Sequence, residues 1–346
     1  MKWIITIPAI LLFALAGCGK DKQSTNELIT VDVTASYPKK ELILQDFMDV
    51  EYIPLETKDD FICQGLVLAI GKDIILARNR IRDGDIFIYD RKTGKGLKKI
   101  NREGQGGEEY TFIQRIVLDE KQNEIFVLDH FSRKISVYDL DGNFKRSLKR
   151  GDELYFFHLY NFNQTSLITN NYWVTDKPAF TIISKQDGTT KQIQIPFKEK
   201  ISMAVNYSDK AKDIYYNVIP DNYNPIIPYF DCWVLVEQSS DTVYKYQSDH
   251  KMIPIIARTP SVQSMNPEVF LFLGILTNRY YFMETVKKEY NFETHEGFPT
   301  TDLLYDKQEK AIFEYIVYNN DYSEKRAVNM KSVSYTHLRA HETPEH

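Results

Sequence analysis

The pair best suited to acid–base chemistry in this sequence is an adjacent carboxylate and imidazole, Asp129 and His130. A histidine next to a carboxylate can serve as a general base. However, Asp90, Asp119 and Asp139 stand at comparable strand ends, where an aspartate commonly caps a turn by accepting backbone hydrogen bonds. We therefore interpret Asp129 as a turn-capping residue, and we identify no catalytic residue.

Metal binding and glycosidase chemistry find no support in the spacing of the other candidates. His158, His250 and His295 are isolated along the chain and lack the spacing of metal ligands, so we predict no metal and no cofactor. A glycosidase needs two carboxylates roughly 5 to 10 Å apart. The chain contains 48 acidic residues, and the sequence selects no pair among them.

Three closely spaced glycines, Gly104, Gly106 and Gly107, have the composition of a phosphate-binding loop. Such a loop is followed by Lys-Ser/Thr and opens a helix, whose N-terminus binds the anion. Here no such pair follows, and the glycines precede a run of strand-forming residues. We therefore predict a turn between two repeats.

Aromatic residues are the strongest candidates for ligand binding, because the chain contains 23 Tyr and 20 Phe. One region concentrates them, and its candidate binding residues are Tyr215, Tyr216, Tyr223, Tyr229 and Trp233. Prolines within it predict that residues 221–228 form a loop. Loops on a rigid scaffold commonly bind ligands, and planar rings suit sugars or peptides. The alternative is that these rings pack in the core.

The N-terminal segment predicts export and lipid anchoring. Lys2 precedes an apolar run over residues 4–16, which is too short for a membrane-spanning helix of roughly 20 residues. The run ends at Leu15-Ala16-Gly17-Cys18, which resembles the lipobox of bacterial lipoproteins. We predict a signal peptide over residues 1–17, and a lipidated Cys18 that begins a flexible tether ending at residue 26. The alternative is an ordinary secretory signal.

Charge and cysteine content restrict the partners of the mature chain. The formal net charge of the full chain, -5, argues against a nucleic-acid partner, which would favour a basic face. Two cysteines remain after lipidation, Cys63 and Cys232. They form a disulfide or stay as free thiols, and the sequence leaves both alternatives open.

The C-terminal residues 333–346 have a sequence that is not expected of a natural protein. Residues 333–343 read Val-Ser-Tyr-Thr-His-Leu-Arg-Ala-His-Glu-Thr, and this string can be back-translated into a transposase adapter used in sequencing libraries. We therefore expect residues 333–346 to be translated adapter without ordered structure, and the natural chain to be interrupted near Ser332.

The remaining residues, 27–332, predict an all-β fold built from repeats. Short runs rich in β-branched and aromatic residues alternate with turns at Gly94, Gly142 and Gly188. These glycines are 48 and 46 residues apart, and a period of about 40 to 50 residues is typical of the four-stranded blades of a β-propeller. The leading strands, near residues 29–33 and 50–55, are our candidates for closing the ring. A β-sandwich is the structural alternative.

The clearest of these repeats resembles the repeat of a known family. Residues 104–110, 116–119, 125–129 and 133–144 resemble an NHL-like propeller repeat. Together with the lipobox and residues 50–57, the chain resembles the six-bladed β-propeller lipoproteins of Bacteroidetes. The resemblance implies six blades, the last incomplete in this chain, and a location in the cell envelope. Asp241-Thr242-Val243 resembles the O-glycosylation pattern of Bacteroidetes envelope proteins, which makes Thr242 a candidate site.

These features favour a binding protein over an enzyme. We predict an anchored scaffold that presents propeller loops to a glycan, a peptide or a neighbouring envelope protein. The outer membrane is favoured because Gly19, which follows the anchor cysteine, is not an acidic retention signal. The alternative is a hydrolase or lyase that acts on polysaccharide at the central channel.

The lipid anchor generates the first testable prediction. Replacing Cys18 by Ser removes the thiol that would carry the acyl chains, so the variant should leave the detergent phase in Triton X-114 partitioning. A Cys63→Ser control should remain in the detergent phase. If the Cys18→Ser chain still entered the detergent phase, the anchor would lie elsewhere.

Overall fold

The computed structural model of the chain describes residues 28–80, 83–129, 131–149, 156–171, 179–209, 213–221, 223–322 and 324–330. Almost all of the regular structure in these residues is β-strand, and the exceptions are four 3-10 turns of three residues each. The all-β prediction is therefore confirmed. Within the described ranges, no helix is long and apolar enough to cross a membrane. The predicted signal peptide, Cys18 and segment 333–346 lie outside the described residues.

Two leading strands precede five sheets, which we call the first to fifth blade; each has four main strands, and the fifth has the short β27 in addition. The leading strands are β1 (Ile29–Asp32) and β2 (Lys39–Ile43). The first blade contains β3 (Leu66–Ile70), β4 (Ile74–Arg78), β5 (Asp85–Asp90) and β6 (Gly96–Asn101). The second contains β7 (Ile113–Asp119), β8 (Glu124–Asp129), β9 (Lys134–Tyr138) and β10 (Phe144–Lys149). The third contains β11 (Phe156–Asn161), β12 (Ser166–Asn171), β13 (Phe180–Ser184) and β14 (Thr190–Ile193).

The last two blades carry additional hairpins. A separate hairpin, β15 (Val205–Asp209) and β16 (Ile214–Val218), precedes the fourth blade. That blade contains β17 (Ile226–Tyr229), β18 (Cys232–Leu235), β19 (Thr242–Gln247) and β20 (Met252–Thr259). The fifth blade begins with β21 (Val269–Leu276) and β22 (Tyr280–Lys287), followed by a small hairpin of β23 (Tyr290–Asn291) and β24 (Glu296–Gly297). It is completed by β25 (Thr300–Asp306), β26 (Ala311–Asn319) and β27 (Arg326–Val328).

Successive blades pack face to face. Neighbouring residues of a strand point to opposite faces of its sheet, and β8 shows the consequence. Ile125 and Val127 pack against the first blade, whereas Phe126 and Leu128 pack against the third. Further apolar clusters join the third blade to the fourth and the fourth to the fifth. This serial stacking is that of a β-propeller, which confirms the predicted fold class.

Two details of the predicted architecture are wrong. Residues 221–228 do not form a continuous loop, because Ile226–Tyr229 is strand β17. Pro228 is tolerated there since β17 is the edge strand of its sheet, where a missing N–H need not break the ladder. Residues 50–55 contain no strand, and β1 pairs with β20 of the fourth blade rather than with a strand of the last described blade.

The leading strands instead extend the outer edges of the last two blades. β1 pairs in parallel with β20, and β2 pairs in parallel with β26. An unpaired outer strand exposes backbone donors and acceptors that invite pairing with other chains. The leading strands therefore cover two edges that the four-stranded blades would leave open.

Residues 44–63, which we call the linking segment, cover the outer faces of the first and fifth blades. Phe47, Met48 and Val50 pack against the apolar face of the fifth blade that points away from the fourth. Ile53 and Phe61 pack, together with neighbouring linking-segment residues, on the face of the first blade that points away from the second. The segment thus provides the neighbour that each terminal face needs to exclude water.

The up-and-down strand order defines two rims. Connections between the second and third strands, and from one blade to the next, lie on one rim, which we call the insertion rim because β15–β16 and β23–β24 arise there. Connections between the first and second strands, and between the third and fourth, lie on the opposite rim. The turn glycines Gly94, Gly142 and Gly188 lie on the opposite rim with φ values of 68°, 84° and 79°, which a glycine adopts without steric cost.

A buried carboxylate on the opposite rim fastens the second leading strand, β2, to the fifth blade. Asp306 is fully buried, and its Oδ2 accepts hydrogen bonds from Lys40 Nζ at 2.8 Å and Arg279 Nη2 at 3.1 Å. Burial of the carboxyl opposes ionisation, but the bonds from Lys40 and Arg279 outweigh it and lower the pKa of Asp306 to about 2. Lys40 lies on β2, so this ion pair joins the leading strand to the fifth blade.

The depressed pKa predicts acid sensitivity. Because the folded pKa lies below the unfolded value, the stabilisation is complete above about pH 4 and is lost as pH falls towards 2. Asp306→Asn should remove roughly 2 kcal/mol of this pH-dependent stability, so its unfolding free energy should fall less than that of the wild type between pH 5 and pH 2.5 in urea titrations. Asp231→Asn, at an exposed carboxylate, should follow the wild-type profile. Parallel profiles for Asp306→Asn and the wild type would contradict the assignment.

Candidate functional site

The two inserted hairpins lie on the same rim and contact each other through aromatic rings. Tyr207 on β15 stands directly opposite Tyr216 on β16, and their ring centroids are 6.2 Å apart. Phe292, in the turn of the β23–β24 hairpin, lies 5.2 Å from Tyr207 and 6.1 Å from Tyr216. An isolated two-stranded hairpin is marginally stable in water, so this contact gives β15–β16 the support that it needs.

The contact continues inwards as a ladder of aromatic rings. Phe292 packs on Tyr290 at 4.9 Å, and Tyr290 packs on Phe298 at 5.8 Å. Phe298 in turn contacts the buried cluster that contains Phe270 and Phe272. Aromatic pairs at these separations contribute beyond the area that they bury. The ladder therefore connects the surface hairpin to the rigid body of the fifth blade.

The outer end of this ladder is exposed. Tyr207 and Tyr216 keep 41% and 46% of their surface in solvent, and Tyr215 keeps 65%. Large aromatic side chains with this exposure, grouped on one hairpin, commonly mark a binding surface. We call Tyr207, Tyr216 and Phe292 the aromatic surface, and Tyr215 is exposed on the opposite face of the same hairpin.

The candidate residues from the sequence divide into two sets. Tyr215 and Tyr216 are exposed on opposite faces of the β15–β16 hairpin, with Tyr216 in the aromatic surface. Tyr223, Tyr229 and Trp233 have largely enclosed side chains. Tyr223 donates a hydrogen bond to the Val236 carbonyl at 2.7 Å. The Trp233 indole donates to the Phe162 carbonyl at 3.3 Å within the packing of the third and fourth blades. These three residues do not form one surface with the first two.

Tyr229 has a polar environment of its own. Its hydroxyl accepts a hydrogen bond from Lys307 Nζ at 2.9 Å, and the same ammonium group lies 4.3 Å from the centroid of the Tyr281 ring. The ring of Tyr229 also meets that of Tyr281 edge-on at 5.7 Å. Since β17 ends at Tyr229 on the opposite rim, these contacts are remote from the aromatic surface.

Sequence reasoning missed Tyr207 and Phe292. The alternation in residues 205–209 and 214–218 was a signal for Tyr207, because it places one tyrosine of each strand on the same face. No local signal marks Phe292, since it meets Tyr207 from 85 positions away in the sequence.

The carboxylates at strand ends cap turns. The Asp129 Oδ1 accepts the backbone N–H of Phe131 at 3.0 Å, and its Oδ2 accepts that of Thr111 at 2.7 Å. Asp90 and Asp139 accept backbone N–H groups of their own turns in the same way. These bonds confirm the capping interpretation. His130, its neighbour in sequence, lies outside the described residues.

The structure also places the glycine-rich turn, the two cysteines and the candidate glycosylation site that the sequence singled out. Gly104 and Gly106 lie in the connection from the first blade to the second, as expected for a turn between repeats. Cys63 and Cys232 are free thiols in different apolar clusters. Thr242 begins β19 and is half-buried.

A buried histidine with a lowered pKa lies on β11, the first strand of the third blade. His158 is buried on β11, with its Nδ1 3.0 Å from Asn170 Oδ1. Burial, and then the positive charge of Arg115, lower the pKa of His158 to about 4. The imidazole is therefore neutral at pH 7. Among the described residues, no three His, Cys, Asp or Glu side chains are grouped as metal ligands would be.

Comparisons with known proteins support the fold. The family model DUF5128, described as a 6-bladed beta-propeller, matches residues 19–337. A solved structure from Bacteroides fragilis, of a protein inferred to be exported, superposes with a TM-score of 0.55 at 15% identity, over 84% of this chain and 80% of that one. A DUF4221 family member from Bacteroides vulgatus gives a TM-score of 0.47 at 12% identity, over 77% and 85% of the two chains. No curated protein matches the chain significantly.

The aromatic ladder predicts that Phe292 supports the β15–β16 hairpin. Phe292→Ala should remove the contact with Tyr207 and Tyr216, at a cost of about 1 to 2 kcal/mol. Amide hydrogens of β15 and β16 should then exchange about tenfold faster in hydrogen–deuterium exchange, while those of the second blade stay unchanged.

A matched control is Phe131→Ala, which truncates an exposed ring on the second blade. It should leave exchange in β15 and β16 at the wild-type rate. Equal exchange in Phe292→Ala and the wild type would show that the hairpin is held by other contacts.

Proposed function

This chain belongs to the DUF5128 family of 6-bladed β-propellers, and on that premise we propose that it is a binding lipoprotein of the cell envelope. Its ligand is a glycan, a peptide or a neighbouring envelope protein, and the β15–β16 hairpin on the insertion rim, with its exposed tyrosines, is where that ligand binds. The blades serve as a rigid scaffold for the two inserted hairpins.

One observation carries this proposal. Two insertions from different parts of the chain meet through Phe292, and the supported hairpin exposes Tyr207 and Tyr216 on one face and Tyr215 on the other. A tyrosine offers a large contact area with few rotatable bonds, so a ligand that covers it orders little side chain. The aromatic ladder further reduces that cost, because it holds the hairpin in place before the ligand arrives.

The proposed location rests on the sequence and on the path of the first strand. The lipobox-like residues 15–18 favour a lipid anchor at Cys18. β1 runs parallel to β20, the fourth strand of its blade, so the chain enters β1 from the side of the opposite rim. A tether attached there leaves the insertion rim directed away from the membrane and open to ligands. The similar protein inferred to be exported agrees with an envelope location.

A combined binding and turnover experiment tests the proposed function. We expect the full chain, solubilised from membranes in detergent, to bind a member of an array of glycans and envelope-derived peptides and to leave it chemically unchanged. Phe292→Ala should weaken binding about tenfold, and Phe131→Ala should not.

Product formation that a single carboxylate substitution abolishes would contradict this proposal. It would favour the alternative, a hydrolase or lyase that acts on polysaccharide at the central channel. Wild-type binding by Phe292→Ala would place the ligand away from the β15–β16 hairpin.

A further inference from the structure

The β15–β16 hairpin has a second face, which the aromatic ladder does not use. Side chains alternate along each strand, so Tyr207 and Tyr216 point towards Phe292 and their neighbours point the other way. The pairing sets Asn206 opposite Asn217 and Ser208 opposite Tyr215. All four of these residues are exposed. We call Asn206, Ser208, Tyr215 and Asn217 the amide face.

Hydrogen bonds within the amide face hold its side chains in fixed positions. The Oδ1 of Asn206 accepts from Asn217 Nδ2 at 2.7 Å and from Tyr215 Oη at 3.1 Å. Ordering these groups in advance lowers the entropy that a ligand would otherwise have to offset. The face is therefore organised although it is exposed.

The same bonds leave a defined set of donors and acceptors directed to solvent. The two N–H groups of the Asn206 side chain and the side-chain carbonyl oxygen of Asn217 remain available to a ligand. Neither has another hydrogen-bond partner among the described residues. Two adjacent amides, one offering a donor and the other an acceptor, can bind two neighbouring hydroxyl groups. The Ser208 hydroxyl adds a group that donates or accepts.

The shape and charge of the face restrict the ligand further. Tyr215 exposes 65% of its surface and provides a flat apolar ring beside the amides. The four side chains carry no formal charge at pH 7, so the face offers no counter-charge to a phosphate, sulfate or carboxylate. A pyranose ring matches this arrangement, since it combines an apolar face of C–H bonds with a rim of neighbouring hydroxyl groups.

We propose that the amide face is a binding site for an uncharged pyranose residue of a glycan. The sugar ring stacks on Tyr215, and its neighbouring hydroxyl groups bind Asn206 and Asn217. This inference rests on the proposed binding function and names the ligand class and the residues that select it. The two faces of the hairpin then have different roles. Tyr207 and Tyr216 hold the hairpin against Phe292, and the amide face binds the sugar.

An array of neutral and anionic oligosaccharides, with a peptide arm, tests the inference on the full chain. The neutral probes are hexasaccharides of glucose, mannose, galactose and xylose in several linkages. The anionic probes are oligogalacturonate and heparin-derived hexasaccharides. We expect binding to at least one neutral probe, measured by calorimetry, and no tighter binding to the anionic probes.

Two variants test the residues. Tyr215→Ala removes the stacking ring, and Asn206→Asp removes the amide donors while keeping the shape and the accepting oxygen. Each should weaken binding of the neutral probe at least tenfold. Phe131→Ala, an exposed aromatic truncation on another blade, should bind as the wild type does. Unchanged circular dichroism and unchanged exchange in β15 and β16 check that the variants fold.

The outcomes separate this inference from the proposed function. Binding of only anionic probes or only peptides, or wild-type affinity of both variants for a neutral probe, overturns the inference and leaves a binding protein. No binding to any glycan or peptide overturns the inference and restricts the proposed function to a neighbouring envelope protein as ligand.

Discussion

The constraint on which the whole molecule depends is that no blade can bury both of its faces alone. A four-stranded sheet whose central strands are apolar on both sides needs a neighbour on each side to exclude water. In the second blade, alternate residues of β8 serve two neighbours, with Val127 facing one blade and Phe126 the other. The two terminal faces have no blade beside them among the described residues, and the linking segment covers both. Its loss would expose apolar surface on the first and fifth blades together.

The two rims have different structural roles. On the opposite rim, polar groups fasten neighbouring blades: Glu120 accepts the backbone N–H groups of Asp73 and Ile74 at 2.8 and 3.0 Å. Lys185 is buried there between blades and donates to Asp119 at 2.5 Å and to Asn161 at 2.7 Å. A buried charge is tolerated only with partners of this quality. Because these bonds hold the opposite rim together, the insertion rim is free to carry hairpins of irregular length.

The aromatic ladder connects the packed core of the fifth blade to the exposed β15–β16 hairpin. Rings from Phe298 to Phe292 continue the packing of the fifth blade out to the surface, and Tyr207 and Tyr216 take support from its end. A binding surface on a supported hairpin loses less entropy than one on a free loop. The enclosed aromatics Tyr223 and Trp233 contribute to the same scaffold from within, as packing residues with a satisfied hydroxyl or indole N–H.

The sequence by itself determined the features that depend on local chemistry. Strand type follows from β-branched and aromatic runs, the turns from glycines with positive φ, and the capping role of Asp129 from its repeated position. These are decided by residues within a few positions of each other, so a pattern suffices to predict them. Only the tertiary structure decided that β1 and β2 pair in parallel with β20 and β26, and that Phe292 meets Tyr207. Such contacts join distant segments whose local sequence is compatible with many partners, and the packing of the complete propeller selects one.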